Sequence, residues 1–340
     1  MIALHPLSLR RWAVLDGVLA VYYAFFVLAV LVGSGPGRDA VLPPVVLNLV
    51  VFVFVAALHR SPWGARFVLA KGAVYRTVLF ATFLTSYLEL QFVLPAVTSR
   101  IVDAQVYAVD LALFGFEPAL AWDRYITPER VEWFAFFYYL HFLVLASHVL
   151  PMLVFGGRGQ LCTRFTLGIL LVFCIGHATY LAVPGYGPFW YFRGQFRHEP
   201  LEGGTFWDLV RTAVAAGGAG KDIFPSLHTA GPSFVAIFAF LHRSRRPFCW
   251  TWVPLAIIAA NIIGATLFLR WHYIVDVVAG LVLASASALA CRTISDREAH
   301  WRARRGLRPV FDPFLPNPSP RLFGAMAPLR KSLGAVEDRG

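Results

Sequence analysis

WTWVPLAIIAANIIGATLFL, from Trp250 to Leu269, is twenty residues without a charge. Spanning the hydrocarbon core of a bilayer takes about 20 apolar residues as a helix. Arginines bracket the stretch, with Arg243, Arg245 and Arg246 before it and Arg270 directly after. Working outward, seven further stretches read the same way: Ala13–Val32, Leu42–Leu58, Tyr75–Val97, Val131–Phe155, Phe165–Val183, Ser226–Leu241 and Tyr273–Cys291. The second and sixth of the eight are short. The reading is an all-α, polytopic transmembrane helical bundle of about eight spans.

Composition agrees. Of 340 residues, 58% are hydrophobic and 14% charged, with a mean hydropathy of +0.63. A soluble domain carries roughly 25% charged residues, so this chain cannot coat a water-facing surface. The first apolar run follows Arg10 and Arg11 but is longer than a signal-peptide core of roughly 7–15 residues, and no small-residue cleavage site follows it. It reads as a retained helix. Cys162, Cys174, Cys249 and Cys291 are scattered, without a CxxC pair or zinc-like spacing, so neither a disulfide nor a structural metal is expected.

The net charge of +11 would point to nucleic acid in a soluble protein. Here the arginines sort by loop. Arg60, Arg66 and Lys71, then Arg158 and Arg164, then Arg243 to Arg246, then Arg292 to Arg308 all fall on one side with Arg10 and Arg11 if every segment spans. Short basic loops stay in the cytoplasm. Both termini are therefore expected there, in a plasma or inner membrane, with no nucleic-acid partner. Three regions follow: two amino-terminal helices (1–73), a six-helix core (74–292) and a basic, Pro-rich cytoplasmic tail (293–340).

On the opposite side are two long loops. Residues 98–130 carry Asp103 and Asp110 among apolar residues at helical spacing over Ile101–Leu120, which fits an interfacial helix. Residues 184–224 open on Pro184-Gly-Tyr-Gly-Pro188 and end on a glycine run, and Gly and Pro at this density mark turns.

Chemistry concentrates in two segments, KDIFPSLHTA (Lys221–Ala230) and TLFLRWHYIVDVVAG (Thr266–Gly280). His228 begins the sixth span and His272 the eighth, so both return to the non-cytoplasmic face. Ser226 is placed as an N-cap, where free amides and the helix dipole favour an anion. His272 and Asp276 are spaced i, i+4 on one helix face. A carboxylate there can fix one imidazole nitrogen and leave the other to attack. Arg270 and Lys221 are near enough in sequence to reach an anionic substrate. His141, His148, His177 and His242 read as ordinary satisfied histidines. A metal centre needs three or four converging ligands; the motifs supply two histidines and one or two aspartates, and no metal is expected.

At these residues the chain resembles the type 2 phosphatidic acid phosphatase superfamily, and within it the branch of inositol phosphorylceramide synthases. The second motif of the superfamily, Pro-Ser-Gly-His, corresponds to Pro225-Ser226-Leu227-His228. The third, His-x-x-x-Asp, corresponds to His272 and Asp276, with Tyr273 and Gly280 as in the branch. Asp103, Asp110, the 113–118 stretch and Tyr180 through Pro188 also look like it. The resemblance implies that His272 is the nucleophile, forming a phosphohistidine, and that Asp276 orients it. His228 would protonate the leaving oxygen and Ser226 would hold phosphate oxygens, with no cofactor. The Ser-Arg pair of the wider superfamily is replaced by Ala265-Thr266, and its first motif has no clear counterpart. Arg270 is the expected substitute phosphate ligand, with Lys221 and Arg193 behind it. The expected substrate is a lipid phosphate or phospholipid headgroup, transferred to water or to an alcohol. Two rival classes are a lipid transporter, for which Glu89 is the acidic residue deepest in a span, and a membrane scaffold.

Overall fold

The computed structural model describes residues 11–62, 65–154, 159–217 and 220–311. Among them are twelve α-helices and no strand. In chain order these are α1 (Val14–Val32), α2 (Arg38–Arg60), α3 (Val68–Val97), α4 (Asp103–Phe114), α5 (Pro118–Ala121), α6 (Pro128–Val154), α7 (Gln160–Ala182), α8 (Pro188–Tyr191), α9 (Thr205–Gly217), α10 (Leu227–Leu241), α11 (Phe248–Phe268) and α12 (Ile274–Arg304). Seven of them (α1, α2, α3, α6, α7, α11 and α12) are long and apolar enough to cross a membrane. The chain is a multi-pass membrane protein.

The remaining expected span, α10, has only 15 residues, or about 22 Å at 1.5 Å per residue. That is short of a hydrocarbon core of about 30 Å. Most of α10 is buried, packed among α6, α7, α11 and α12. Its ends therefore meet protein rather than lipid, and backbone at membrane depth is tolerated where protein covers it. Conversely, Val21, Leu47, Phe54, Phe92, Trp250 and Val282 point outward. An exposed apolar shell of that size would be a liability in water and is what a lipid-facing surface requires.

The two long loops fold as lids on one end of the bundle. Helix α4 matches the expected interfacial helix but carries its polarity inverted: Asp103 and Asp110 are buried while Leu111, Leu113 and Phe114 are exposed. Two acids seven residues apart share a helix face, and here that face turns toward the bundle.

At the other end, a buried ionic knot ties α1 and α2 to the core. The Asp16 carboxylate, fully buried, accepts from Arg60 Nε at 2.7 Å, from the Ala13 amide at 2.7 Å and from the Tyr75 hydroxyl. Arg60 also donates to the Val310 carbonyl at 2.7 Å. Helix α12 runs past Cys291 to Arg304, and its buried Glu298 and Arg302 bond the Val14 amide and the carbonyls of Arg11 and Trp12. The first third of the expected tail is thus integral to the bundle, while residues 312–340 lie outside the described residues.

Candidate active site

Helix α12 begins where three carboxylates gather, two of them on its free amides. The first amides of any helix lack intrahelical partners. Here Asp110, reaching across from α4, accepts from Ile274 N at 2.7 Å and Val275 N at 2.8 Å. Asp276 reaches back to the Tyr273 amide at 2.9 Å. Asp103 accepts from the Tyr273 hydroxyl at 3.1 Å and from the amides of Tyr186 and Gly187 at 2.9 and 2.8 Å. Burial and Asp103 push the Tyr273 phenol well above its ordinary range. Burial raises the Asp110 carboxyl, and the Val275 and Ile274 amides oppose that rise.

Helix α10 starts beside it. Ser226 Oγ accepts from the Thr229 amide at 3.2 Å, the expected N-cap, and Ser226 N donates to the Asp276 carbonyl at 3.0 Å. The two helix starts are stitched together through backbone. Gly280 permits this approach, since a Cβ there would stand 2.5 Å from the Ser226 carbonyl oxygen.

The consequence is that His228 and His272, 44 residues apart in sequence, have ring centroids 6.1 Å apart. His272 is 4% exposed. Its Nδ1 is 3.5 Å from Asp276 Oδ2, a charge contact longer than a formed hydrogen bond. Such contacts are often long in a substrate-free site and tighten on binding. His228 stacks on Tyr138 at 4.4 Å, with the Tyr138 hydroxyl 3.3 Å from its Nδ1. His141 lies 4.5 Å from His228, centroid to centroid.

The expected cations are placed differently. Arg270 is 2% exposed and its Nη2 donates to Asp123 at 2.7 Å and to the His198 carbonyl at 3.1 Å, while its guanidinium lies 3.7 Å over the Phe196 ring. Burial lowers Arg270 to about 10, with Asp123 opposing, so it stays charged at neutrality. Its Nε is buried without an acceptor. Its φ of +67° makes it the one non-glycine residue in the left-handed region among those described, at the position past a helix end where glycine is usual. Lys221 Nζ is 3.3 Å from the Thr98 carbonyl, and Arg193 pairs with Glu199 at 3.6 Å on the surface. The contacts of these two lead away from the histidines.

One cavity reaches His228 and a second lies beside Arg270 and Trp271. The first, of about 330 Å³, runs down between α3, α6 and α7 with His141, His177, Asp222 and His228 at one end and Phe83, Leu145 and Phe173 along it. The other, of about 810 Å³, opens beside Arg270 and Trp271 and is walled by Trp190, Arg193, Trp207 and Arg211. Burial raises the carboxyl of Asp222, against the pull of His272.

Residues 104–290 match the model of the PAP2 superfamily. The chain belongs to that superfamily. The matched span takes in α4 from its second residue through the first half of α12 and, apart from Asp103, the site residues above; α1, α2 and α3 precede it. No curated protein and no solved structure matches the chain. Membership makes this a phosphatase-type membrane protein, and a lipid substrate fits a PAP2 member built almost wholly of apolar helices.

Sequence reasoning missed Tyr138, Asp123 and Asp222 and read His141 as an ordinary histidine. Tyr138 and His141 are i, i+3 on α6, one face by spacing, but no motif marks them. The Glu89 of the transporter reading bonds Asn48 at 2.5 Å and Tyr23 at 3.3 Å, held between α1, α2 and α3 and away from both cavities.

Proposed function

We propose that this PAP2 member is a lipid phosphatase or phosphotransferase that works through a phosphohistidine on His272 and acts at the non-cytoplasmic leaflet. The observation that carries the reading is the pair of histidines at two stitched helix starts, with an apolar cavity ending on one of them. His272 Nε2 attacks phosphorus while the bond to the lipid alkoxide oxygen breaks. Protonated His228 delivers its proton to that oxygen. Neutral His228 then takes a proton from water or an alcohol, whose oxygen displaces His272 and regenerates the imidazole. Asp276 keeps the Nδ1 proton in place so that Nε2 carries the lone pair.

Negative charge on the transferring group needs preorganised donors. The Ser226 cap and the amides at the start of α10 supply part of this. Arg270, with an unpartnered donor beside the site, is our choice for the fixed cation, ahead of Lys221. The likeness of the motifs to inositol phosphorylceramide synthases favours an alcohol acceptor and a sphingolipid product, with the wider cavity beside Trp271 as the acceptor's place.

The test uses purified protein with radiolabelled lipid phosphates, a phosphoinositide and ceramide, in parallel with His272→Ala. Free phosphate from the parent alone identifies a phosphatase, and label in a new lipid identifies a transferase. Equal turnover by His272→Ala removes His272 from the mechanism. For sidedness, a cysteine introduced as Arg197→Cys in the exposed loop should react with an impermeant maleimide from outside intact cells. Labelling only after lysis would reverse the orientation.

A further inference from the structure

The cavity that ends on His228 does not stop at Phe83. A small pocket of about 50 Å³ continues it and shares Phe80, Phe83, Val149 and Ile169 with it. Together they follow α3 from Leu88 down to Arg76, about 18 Å at 1.5 Å per residue. The walls are mostly aliphatic and aromatic, with His141, His177, Asp222 and His228 at one end and Arg76 and Thr166 at the other.

The far end is closed by a residue from outside the helical core. Phe311 lines the terminal pocket, 5% exposed, with the Arg76 guanidinium 4.8 Å over its ring and Tyr75 6.1 Å away. Its position is fixed by backbone ties: Arg60 Nη1 to the Val310 carbonyl and Arg302 Nε to the Arg308 carbonyl, each 2.7 Å. Both arginines are themselves buried and paired with acids. The backbone leading to Phe311 is thus tied to two buried ionic groups, which sets its ring at the end of the cavity.

We infer that the composite cavity holds one hydrocarbon chain of the lipid substrate and that Phe311 sets the longest chain it accepts. The inference rests on the lipid-phosphate reading above. With the phosphate at His272, the chain has one apolar route past His228, and its far methyl meets Phe311. Each methylene that fits is worth about fourfold in affinity, the ~0.8 kcal/mol of a buried methylene converted at 1.36 kcal/mol per tenfold. Beyond the stop, added methylenes gain nothing or clash.

The experiment uses the full chain in nanodiscs with n-alkyl phosphates of increasing length, dialysed to equal free aqueous concentration so that each methylene is referred to water. Relative binding is read by native mass spectrometry and turnover by phosphate release. The parent profile should rise about fourfold per methylene and then break. Phe311→Ala should move the break to longer chains by two or more methylenes while leaving short chains unchanged, and Phe311→Trp should move it to shorter ones. Coincident binding profiles for the parent and both variants would overturn the inference. Shifted binding profiles with no turnover in any variant would uphold the stop and sink the catalytic reading instead.

Discussion

Arg270 is the residue on which structural and catalytic roles can be separated by measurement. Its pair with Asp123 is closed to water, with side chains 2% and 7% exposed, so solvent screening does not weaken it. Arg270→Gln leaves Asp123 buried with the Arg197 amide at 2.7 Å and the His198 amide at 3.4 Å but without its cation. Removing one partner of a buried pair costs about 3–5 kcal/mol. Asp123→Asn alone strands the guanidinium and should cost a similar amount. The double variant, Arg270→Gln with Asp123→Asn, has no buried charge and should return to within about 1–2 kcal/mol of the parent, a coupling well above the ~0.5 kcal/mol of independent sites. Thermal unfolding in detergent reads the cycle. Turnover on the same four proteins reads the second role. If Arg270 neutralises the transferring phosphate, the double variant stays about 10²–10³-fold slow, the range for loss of one preorganised donor. Recovery of turnover along with stability would refute the assignment and leave Arg270 as a strut for the 192–201 loop. Additive losses would refute the buried-pair energetics themselves.

Three further substitutions probe the scaffold. Gly280→Ala puts a methyl 2.5 Å from the Ser226 carbonyl, so the two helix starts must part. We expect a loss of about 1–3 kcal/mol and a larger proportional fall in turnover than in stability, measured on the same preparation. Asp110→Asn keeps one acceptor oxygen for the two amides of Ile274 and Val275, and kcat should fall while KM holds, since His272 loses its fixed platform. Burial raises the Glu117 carboxyl from 4.5 to about 8, with the Ala119 amide opposing and Asp110 adding to the rise. Below pH 4.5 both folded and unfolded chains hold this proton. Between 4.5 and 8 the unfolded chain releases it first, so stability falls as pH rises, by at most about 5 kcal/mol at 1.36 kcal/mol per pH decade. Glu117→Gln should flatten the unfolding midpoint between pH 5 and 8, and an unchanged slope would remove Glu117 as its source.

Most helix positions were legible because seven of the helices are long apolar runs, most of them with an arginine near one end. Expected and observed limits of α1 differ by one residue and those of α7 by five at one end. The end of α12 was not legible, because past Cys291 the sequence turns basic and the burial of Glu298 and Arg302 depends on partners about 290 residues away. His228, His272 and Asp276 were legible for a local reason, since a cap and an i, i+4 pair each lie within one segment. Asp123 was not, because its partner Arg270 lies 147 residues on, and an isolated acid in a polar loop reads as solvated. His141 failed similarly: what separates it from His148 on the same helix is the ring of His228 against it.

The acids around the site make one common argument about how it is held. Asp103, Asp110, Asp123, Asp276 and, farther out, Glu132 each accept from backbone amides, Glu132 taking those of Gly204, Phe206 and Trp207. Their charge is thus met by main-chain dipoles at turns and helix starts: Asp103, Asp123 and Glu132 pin loop segments and the start of α9, while Asp110 and Asp276 pin the start of α12. The two histidines stand 6.1 Å apart between helix starts and loops, where few long helix faces are available to set their positions by apolar packing. Charged hydrogen bonds to backbone are directional and about twice as strong as neutral ones. They convert loops into fixed supports around the two histidines.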